Sequence, residues 1–326
     1  MPNRKPAPQP EPSSFAKYFS DGSALLASPD TPDWAILFLV VLAPLLISTL
    51  FRKPKSKTLF SSSRNMTGTR THDSIQEHFQ GALSNAELVQ YIKEQLPFNP
   101  STSLVATSLC CDEVNRPLEK ALSNLYNHYF SMGGLAGVPF GGVTAFGAMA
   151  SHIPDGGACV VVYGPHVGVD STGKIGTVER RGKSNGGSCC GSAVAAHGHV
   201  LSAGSKICHP TSIVDAQQSF VGNMLMPFAD RLSAADDGMV ELPYALFDAQ
   251  TELVDRIVQK GAGKVAKSGS AIAVLGGIQI NTPNGMTDYF LPLRFDVYDN
   301  EAQVVESIMQ SVPRVRFLLT KIVSVC

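Results

Sequence analysis

Hydrophobic residues along most of the chain follow two patterns, one typical of strands and one typical of helices. Continuous β-prone or apolar runs, typical of strands, occupy 103–109, 158–163, 271–280 and 289–298. Apolar residues at helical spacing follow a capping box at Ser84 and follow Pro117, and recur near 211–236, 240–260 and 300–311. Strands that alternate with helices predict an α/β fold, a central sheet flanked by helices, with ligands bound at the strand ends.

The first 69 residues depart from these patterns. Residues 1–33 are rich in Pro, Ser, Asp and Ala and lack periodicity, which predicts a disordered tail. Residues 34–51 are uncharged and apolar over the length of a transmembrane helix, so a single span is predicted before a domain at 70–326. Residues 52–69 form a basic linker, and the positive-inside rule then places the domain on the cytosolic or stromal side of the membrane. The alternative is an organelle-targeting sequence, such as that of a plastid protein.

Three short segments carry candidate metal ligands: 108–116, 163–170 and 186–193. The first two begin where an apolar run ends. In the first segment, alternation along a continuing strand would place Cys110 and Asp112 on one face and Cys111 on the other. Cys110 is therefore the predicted ligand, with Asp112 beside it. Cys111 is predicted to be a small buried hydrophobe.

The other two segments add an imidazole and a further thiol. Gly164-Pro165 interrupts the second apolar run and presents His166 at the end of a strand. Segment 186–193 is typical of a loop that leads into a helix, and a helix N-terminus favours the thiolate form of Cys189 or Cys190. Two thiolates and one imidazole from segments far apart in sequence form the ligand set of a catalytic zinc with an open fourth position.

These motifs resemble those of a known family. Cys-x-Asp at 110–112, Gly-Pro-His at 164–166 and Gly-Gly-x-Cys-Cys-Gly at 186–191 are similar to motifs of the limiting-CO2-inducible protein B/C family, the θ-type carbonic anhydrases. The stretch 276–283 is similar to that family's C-terminal strands. The resemblance extends from about residue 70 to the C-terminus.

The resemblance implies a β-carbonic-anhydrase-like fold, a homodimer, and zinc-dependent reversible hydration of CO2 to bicarbonate in a carbon-concentrating or pH and CO2 homeostasis role. The implied zinc ligands are Cys110, His166 and Cys190. The resemblance also implies that Asp112 acts beside the metal together with an arginine. Arg116 is the predicted partner because it is nearest in sequence, and Arg180 and Arg181 are the alternatives.

Two other functions fit the same residues. The first is a family member that binds zinc without catalysis and serves as a structural or regulatory component of a CO2-concentrating assembly. The second is a thiol-based hydrolase with Cys190 as its nucleophile. Metal analysis and a CO2 hydration assay distinguish these two functions from that of a carbonic anhydrase.

Composition narrows the remaining possibilities. The chain has 326 residues and a net charge of −1, and this lack of basic excess excludes nucleic acid as an expected partner. Seven cysteines, two vicinal pairs among them, give no disulfide framework and favour a reducing compartment. The glycine-rich segment 133–142 lacks the Gly-Lys-Ser/Thr of a phosphate loop, so close backbone packing near the active site is predicted for it.

Overall fold

A computed structural model describes residues 64–126, 129–183, 185–203, 213–266, 271–299 and 302–309. All of them belong to one unit of the chain, Ser61–Cys326. The α-helices in this part of the chain are α1 (Arg64–His78), α2 (Asn85–Gln95), α3 (Arg116–Tyr126), α4 (Gly142–Ala150), α5 (Gly191–Ala203), α6 (Ala216–Leu225), α7 (Ala229–Ser233) and α8 (Gly238–Ala266). The strands are β1 (Leu83–Ser84), β2 (Ser103–Ser108), β3 (Tyr129–Ser131), β4 (Ala158–Tyr163), β5 (His166–Gly168), β6 (Thr177–Val178), β7 (Gly187–Ser188), β8 (Ala271–Asn281), β9 (Tyr289–Tyr298) and β10 (Val304–Ser307).

Most of these strands form one mixed sheet. Its spatial order is β1-β9-β8-β4-β2-β3, with β10 beside β9 and β5 beside β8. Strands β3, β2, β4 and β8 run parallel, and β5 pairs in parallel with the last part of β8. Strand β9 runs antiparallel to β8, β1 and β10, and β6 pairs with β7 in a separate ladder. The candidate ligands Cys110 and His166 therefore follow two neighbouring parallel strands, β2 and β4.

Helices cover both faces of the sheet because its parallel strands are apolar on both faces. Along β4, Val160 and Val162 join one buried cluster with side chains of α2 and α3. The alternate residues Val161 and Tyr163 join a second cluster with side chains of α1, α4 and α8. Each fully buried large aliphatic side chain contributes roughly 1.5–3 kcal/mol to folding. A third cluster, from α5 to α8, packs around Cys110 and Cys190 beyond the strand ends.

Several predicted elements are confirmed. The Ser84 hydroxyl oxygen accepts the Glu87 N–H at 3.2 Å, and the Glu87 carboxylate accepts the Ser84 N–H at 2.7 Å, which is the predicted capping box. The predicted strands at 158–163 and 289–298 have these bounds in the structure. The helix predicted near 300–311 is wrong, because Val304–Ser307 forms a strand that pairs with β9. Pairing with a sheet edge outweighs a weak helical periodicity here.

The predicted fold class needs a correction, since it placed a transmembrane segment before the domain. Within the ranges that the structure describes, no helix is long and apolar enough to cross a membrane. The longest, α8, has 29 residues, but charged side chains recur along it from Glu241 to Lys264. The predicted span at 34–51 lies outside the described residues, as do the tail at 1–33 and most of the linker at 52–69. The fold is a mixed sheet with helices on both faces.

Candidate metal centre

The first ligand segment leaves the sheet immediately after β2. Cys110 is buried, whereas Cys111 is exposed, so the prediction that Cys111 is a buried hydrophobe is wrong. Strand alternation does not continue past Ser108, because the chain turns into a 3-10 helix at Glu113–Asn115. Asp112 is the N-cap of that helix, and its side chain accepts the Val114 N–H at 3.4 Å.

His166 lies on a short strand rather than at the end of β4. Gly164-Pro165 ends β4, and His166 then opens β5, which pairs with β8 beside it. The glycine-rich segment packs its backbone against this linker, since a Cβ on Gly137 would lie 2.2 Å from the Gly164 carbonyl oxygen. The Gly137 φ of +81° is also a conformation that L residues rarely adopt. The predicted close backbone packing of segment 133–142 is confirmed.

The third segment brings two adjacent cysteines to the start of α5. Cys189 and Cys190 are both buried, and α5 begins at the next residue, Gly191. The neighbouring thiol of Cys110 lowers the pKa of Cys190, burial raises it, and backbone N–H groups of the first turn of α5 lower it further. The net effect is a lowered pKa. The Cys110 thiol and the helix start together therefore favour a thiolate at Cys190, and the helix start is the contribution that the sequence predicts.

Three buried ligand atoms converge from these segments. The candidate ligand atoms of Cys110, His166 and Cys190 all lie within 4.8 Å of one another. The Sγ atoms of Cys110 and Cys190 are 3.8 Å apart. Two thiolates bound tetrahedrally to zinc, each with a Zn–S distance of about 2.3 Å, also lie about 3.8 Å apart. The spacing of the two sulfurs therefore fits a tetrahedral metal ion.

The hydrogen bonds of His166 determine which ring nitrogen is available to a metal. Nδ1 lies 2.8 Å from Oδ1 of Asn281. The Asn281 carboxamide is oriented because its Nδ2 donates to the Val114 carbonyl oxygen at 3.0 Å. Nδ1 is therefore the protonated nitrogen and donates to Oδ1, which leaves a lone pair on Nε2. Nε2 is buried and has no hydrogen-bond partner among the described residues, as expected of a nitrogen that binds a metal.

The thiols and the imidazole form one coupled group of titrating side chains. The thiol of Cys190, together with burial, raises the pKa of Cys110 to about 12. Burial lowers the pKa of His166, but the Cys189 and Cys110 thiols outweigh burial and raise it well above its usual value. Without a metal, the cluster therefore retains protons that metal binding would release.

Cys189 offers an alternative ligand set with Asp112 and His166, whose ligand atoms also lie within 4.8 Å of one another. Its Sγ lies 3.4 Å from Nδ1 of His166 and 3.6 Å from Oδ1 of Asn281. That position is on the edge of the ring that Asn281 already occupies. A metal ion between Cys189 and Nδ1 would displace the buried hydrogen bond. The geometry therefore favours the set that contains Cys190.

Asp112 is held by Arg180, one of the two alternatives that the sequence left open. Arg180 donates to both carboxylate oxygens of Asp112, with N–O distances of 2.7 Å each. Burial raises the pKa of Asp112, but the bonds from Arg180 outweigh burial and hold it well below its usual value. Arg116, the predicted partner, instead forms an ion pair with Glu119 and donates to the Cys110 carbonyl oxygen. Arg181 is exposed.

Comparisons with known proteins show the family to which the chain belongs. Residues 81–299 match the family model of the limiting CO2-inducible proteins B/C β-carbonic anhydrases. The chain belongs to this family. The predicted family is thereby confirmed, and the matched region lies within the predicted one. A search of the curated proteins finds no match.

Solved structures of the family are similar to the chain. PtLCIB4, a homologue of the limiting CO2-inducible protein LCIB, is 49% identical, with 73% of this chain and 100% of that chain covered and a TM-score of 0.68. A single-site mutant of PtLCIB4 is 48% identical, covers 74% of this chain and 99% of its own, and gives a TM-score of 0.70. LCIB itself is 18% identical over 72% of this chain and 98% of its own, with a TM-score of 0.56, which shows the shared fold alone.

A small pocket adjoins the buried ligand cluster. His166 and Cys190 form part of its wall. The rest of the lining is mostly apolar and includes Val167, Val194, Met239, Leu242 and Leu246. The wall that α8 contributes comes from its first turns, near Pro243. In this member of the family, His166 and Cys190 therefore border a small, mostly apolar pocket.

Proposed function

We propose that this chain catalyses the zinc-dependent, reversible hydration of CO2 to bicarbonate. The observation that carries the proposal is the buried cluster of Cys110, His166 and Cys190, with sulfurs spaced for a tetrahedral metal and an unpartnered Nε2. The family to which the chain belongs supports the choice of reaction. Two thiolates and one imidazole also leave a fourth position open, as in catalytic zinc sites.

The ligands proposed for zinc are Cys110, His166 and Cys190. When bound there, zinc supplies the Lewis acidity that makes water a nucleophile near neutral pH. Cys190 enters the site with its thiolate favoured by the hydrogen bond with the Cys110 thiol and by the backbone N–H groups at the start of α5. Asn281 accepts the Nδ1 proton of His166, so Nε2 is the nitrogen left to bind the metal. Before the metal binds, the raised pKa values of Cys110 and His166 keep protons on the cluster, and metal binding would release them from the Cys110 thiol and from Nε2.

Asp112 is proposed to orient the attacking water. Arg180 keeps the carboxylate ionised, and an ionised carboxylate is an acceptor only. Asp112 would therefore accept the remaining hydrogen of the nucleophile and leave an oxygen lone pair directed at carbon. Arg180 holds the carboxylate through two parallel bonds, which fix its plane as well as its charge.

The pocket beside the cluster is the proposed position of CO2. CO2 has no net dipole and gains little from charged groups, so a mostly apolar lining suits it. Most of the apolar side chains that line it come from α5 and from the first half of α8. Bicarbonate, which is charged, is held weakly by such a lining and is released when water replaces it.

The alternative is a family member that binds zinc but does not catalyse hydration and acts as a component of a CO2-concentrating assembly. One observation favours it: the Asp112 side chain accepts the Val114 N–H and one N–H each from Nη1 and Nη2 of Arg180, so its oxygens already have partners. On this alternative, Asp112 stabilises the turn after β2 and takes no part in turnover.

Stopped-flow CO2 hydration by the full-length chain, with zinc quantified in the same sample, tests the proposal. We expect about one zinc per chain and hydration that a zinc chelator removes. Zinc at that level without hydration would decide for the silent alternative. Hydration that survives complete removal of zinc would exclude the metal mechanism.

We also propose that the active form is a homodimer, as the family resemblance implies. Light scattering on the full-length chain measures its mass directly. A monomer that hydrates CO2 at the full rate would exclude the dimer as the functional unit.

A further inference from the structure

Asn281 is the last residue of β8 and is only 1% exposed. Its carboxamide uses both ends: Oδ1 accepts from His166 Nδ1 at 2.8 Å, and Nδ2 donates to the Val114 carbonyl oxygen at 3.0 Å. The sequence offers one signal for it, a polar residue at the end of a mostly apolar strand.

We propose that Asn281 is a positioning residue of the metal centre, which holds the imidazole of His166 so that Nε2 faces the thiols of Cys110 and Cys190. The inference rests on the zinc site of the proposed function. Its physical basis is that a ligand ring fixed by a hydrogen bond at its other nitrogen loses less freedom when the metal binds. Asn281 does not touch the reacting atoms, and it acts through His166.

The backbone makes this contact rigid. Strand β5, which carries His166, pairs in parallel with β8, and the Cα of Gly168 lies opposite that of Asn281. The Val169 N–H also donates to the Asn281 carbonyl oxygen at 2.9 Å. The backbone on both sides of the His166–Asn281 hydrogen bond therefore belongs to one sheet, which fixes the distance between the two Cα atoms.

The same carboxamide connects the imidazole to the turn that carries Asp112. Val114, whose carbonyl accepts from Asn281, lies in the 3-10 helix that Asp112 caps. A carboxylate at position 281 could accept from His166 but could not donate to Val114. A hydrocarbon side chain could do neither. These two replacements separate the contact with the metal ligand from the contact with the turn.

The experiment compares Asn281→Leu, Asn281→Asp and wild type as full-length proteins, with zinc affinity measured by chelator competition. Asn281→Leu should lose about 10–100-fold in zinc affinity, the usual loss when the partner of a ligand histidine is removed. Asn281→Asp should keep most of the affinity, because it still accepts the Nδ1 proton. A merely structural role predicts that Asn281→Asp loses at least as much zinc affinity as Asn281→Leu. The reason is that a buried carboxylate facing the Val114 carbonyl should destabilise the metal-free protein at least as much as leucine does.

Gln279→Leu is the matched control. Gln279 lies two residues earlier on the same face of β8, is fully buried, and neither polar atom of its side chain has a hydrogen-bond partner among the described residues. The control should bind zinc as wild type does. Equal losses of zinc affinity in Gln279→Leu and Asn281→Leu would overturn the proposal. It would also be overturned if the zinc affinities of wild type, Asn281→Leu and Asn281→Asp ranked in the same order as the thermal stabilities of their metal-free forms. If Asn281→Leu does not fold, an Asn281→Asp protein that has lost zinc as completely as His166→Ala would overturn it.

Zinc binding and hydration are measured separately, so the two proposals can fail separately. A wild-type protein that binds zinc but does not hydrate CO2 contradicts the proposed function and leaves the role of Asn281 to be decided by the affinities. A wild-type protein that binds no zinc contradicts both.

Discussion

The two sides of the candidate metal centre are built from different interactions. On one side, the buried imidazole of His166 hydrogen-bonds to the buried carboxamide of Asn281. On the other, Asp112 and Arg180 form an ion pair whose side chains are 14% and 20% exposed. A buried hydrogen bond within a sheet is fixed in position, whereas a partly exposed ion pair is hydrated and screened by salt. We infer that the His166–Asn281 side determines the zinc affinity and that the Asp112–Arg180 side determines the rate of hydration.

The largest expected effect is on the buried side. Alanine at Cys110, His166 or Cys190 should reduce bound zinc to background and abolish hydration. A catalytic zinc normally has three protein ligands, and each substitution would leave two. Cys111→Ser is the matched control, since Cys111 is adjacent in sequence but exposed. Zinc content by elemental analysis is the measurement. Loss of zinc in Cys111→Ser, or its retention in Cys110→Ala, would show that the ligand is misassigned.

The next effect is on the ionic side and should leave the metal in place. Asp112→Asn keeps the shape of the side chain but presents a donor where an acceptor is needed, so hydration should fall about 10–100-fold with zinc retained. Stopped-flow rates normalised to zinc content measure this. Asn is also a good N-cap, so a protein in which Asp112 only caps the 3-10 helix would keep its full rate.

The comparison of the two sides also shows what the sequence could predict. Local patterns were sufficient for the buried strands and for the capping box at Ser84. They also placed candidate ligands at strand and helix ends, but the choice of Cys190 over Cys189 came from the family resemblance. The hydrophobic repeats of strands and helices, about every 2 and every 3.6 residues, recur within short segments, so a single sequence can reveal them. The error at Cys111 arose because alternation was extended beyond Ser108, where β2 ends.

The partners of the site residues could not be predicted in the same way. Arg180 is 68 residues from Asp112, and Asn281 is 115 residues from His166. Both contacts depend on strand register and on the path of a connection, which no local pattern specifies. Proximity in sequence favoured Arg116, but α3 begins there and directs its side chain to Glu119. The family motifs identified the ligands more easily than the residues that orient them.

A smaller effect should distinguish the arginines. Arg180→Lys keeps the charge but cannot form two parallel bonds to a carboxylate, so hydration should fall about tenfold, the lower end for a group that acts through another residue. Arg116→Lys should cost less, because Arg116 binds Glu119 and not Asp112. Hydration rates of the two zinc-loaded variants decide between them. A larger loss in the Arg116 variant would restore the assignment made from sequence proximity.

The smallest effect is the contribution of the Asp112–Arg180 pair to stability, and it should depend on pH. Arg180 holds the pKa of Asp112 below its usual value, so folding favours the ionised form. The contribution is fully present above the unfolded-state pKa, about 3.9, and is lost as pH falls through the lower folded-state pKa. The difference in unfolding free energy between wild type and Asp112→Asn should therefore be largest near neutral pH and shrink in acid.

Urea unfolding of the metal-free, full-length proteins measures this difference. Zinc is removed because the protons released on metal binding would add a pH dependence of their own. The same substitution in an Arg180→Gln background should show a weaker pH dependence, because the charge that lowers the pKa of Asp112 is gone. A difference that stays constant from neutral pH into acid would mean that the ion pair contributes nothing to folding. The ionic side of the centre would then differ from the buried side in catalysis alone.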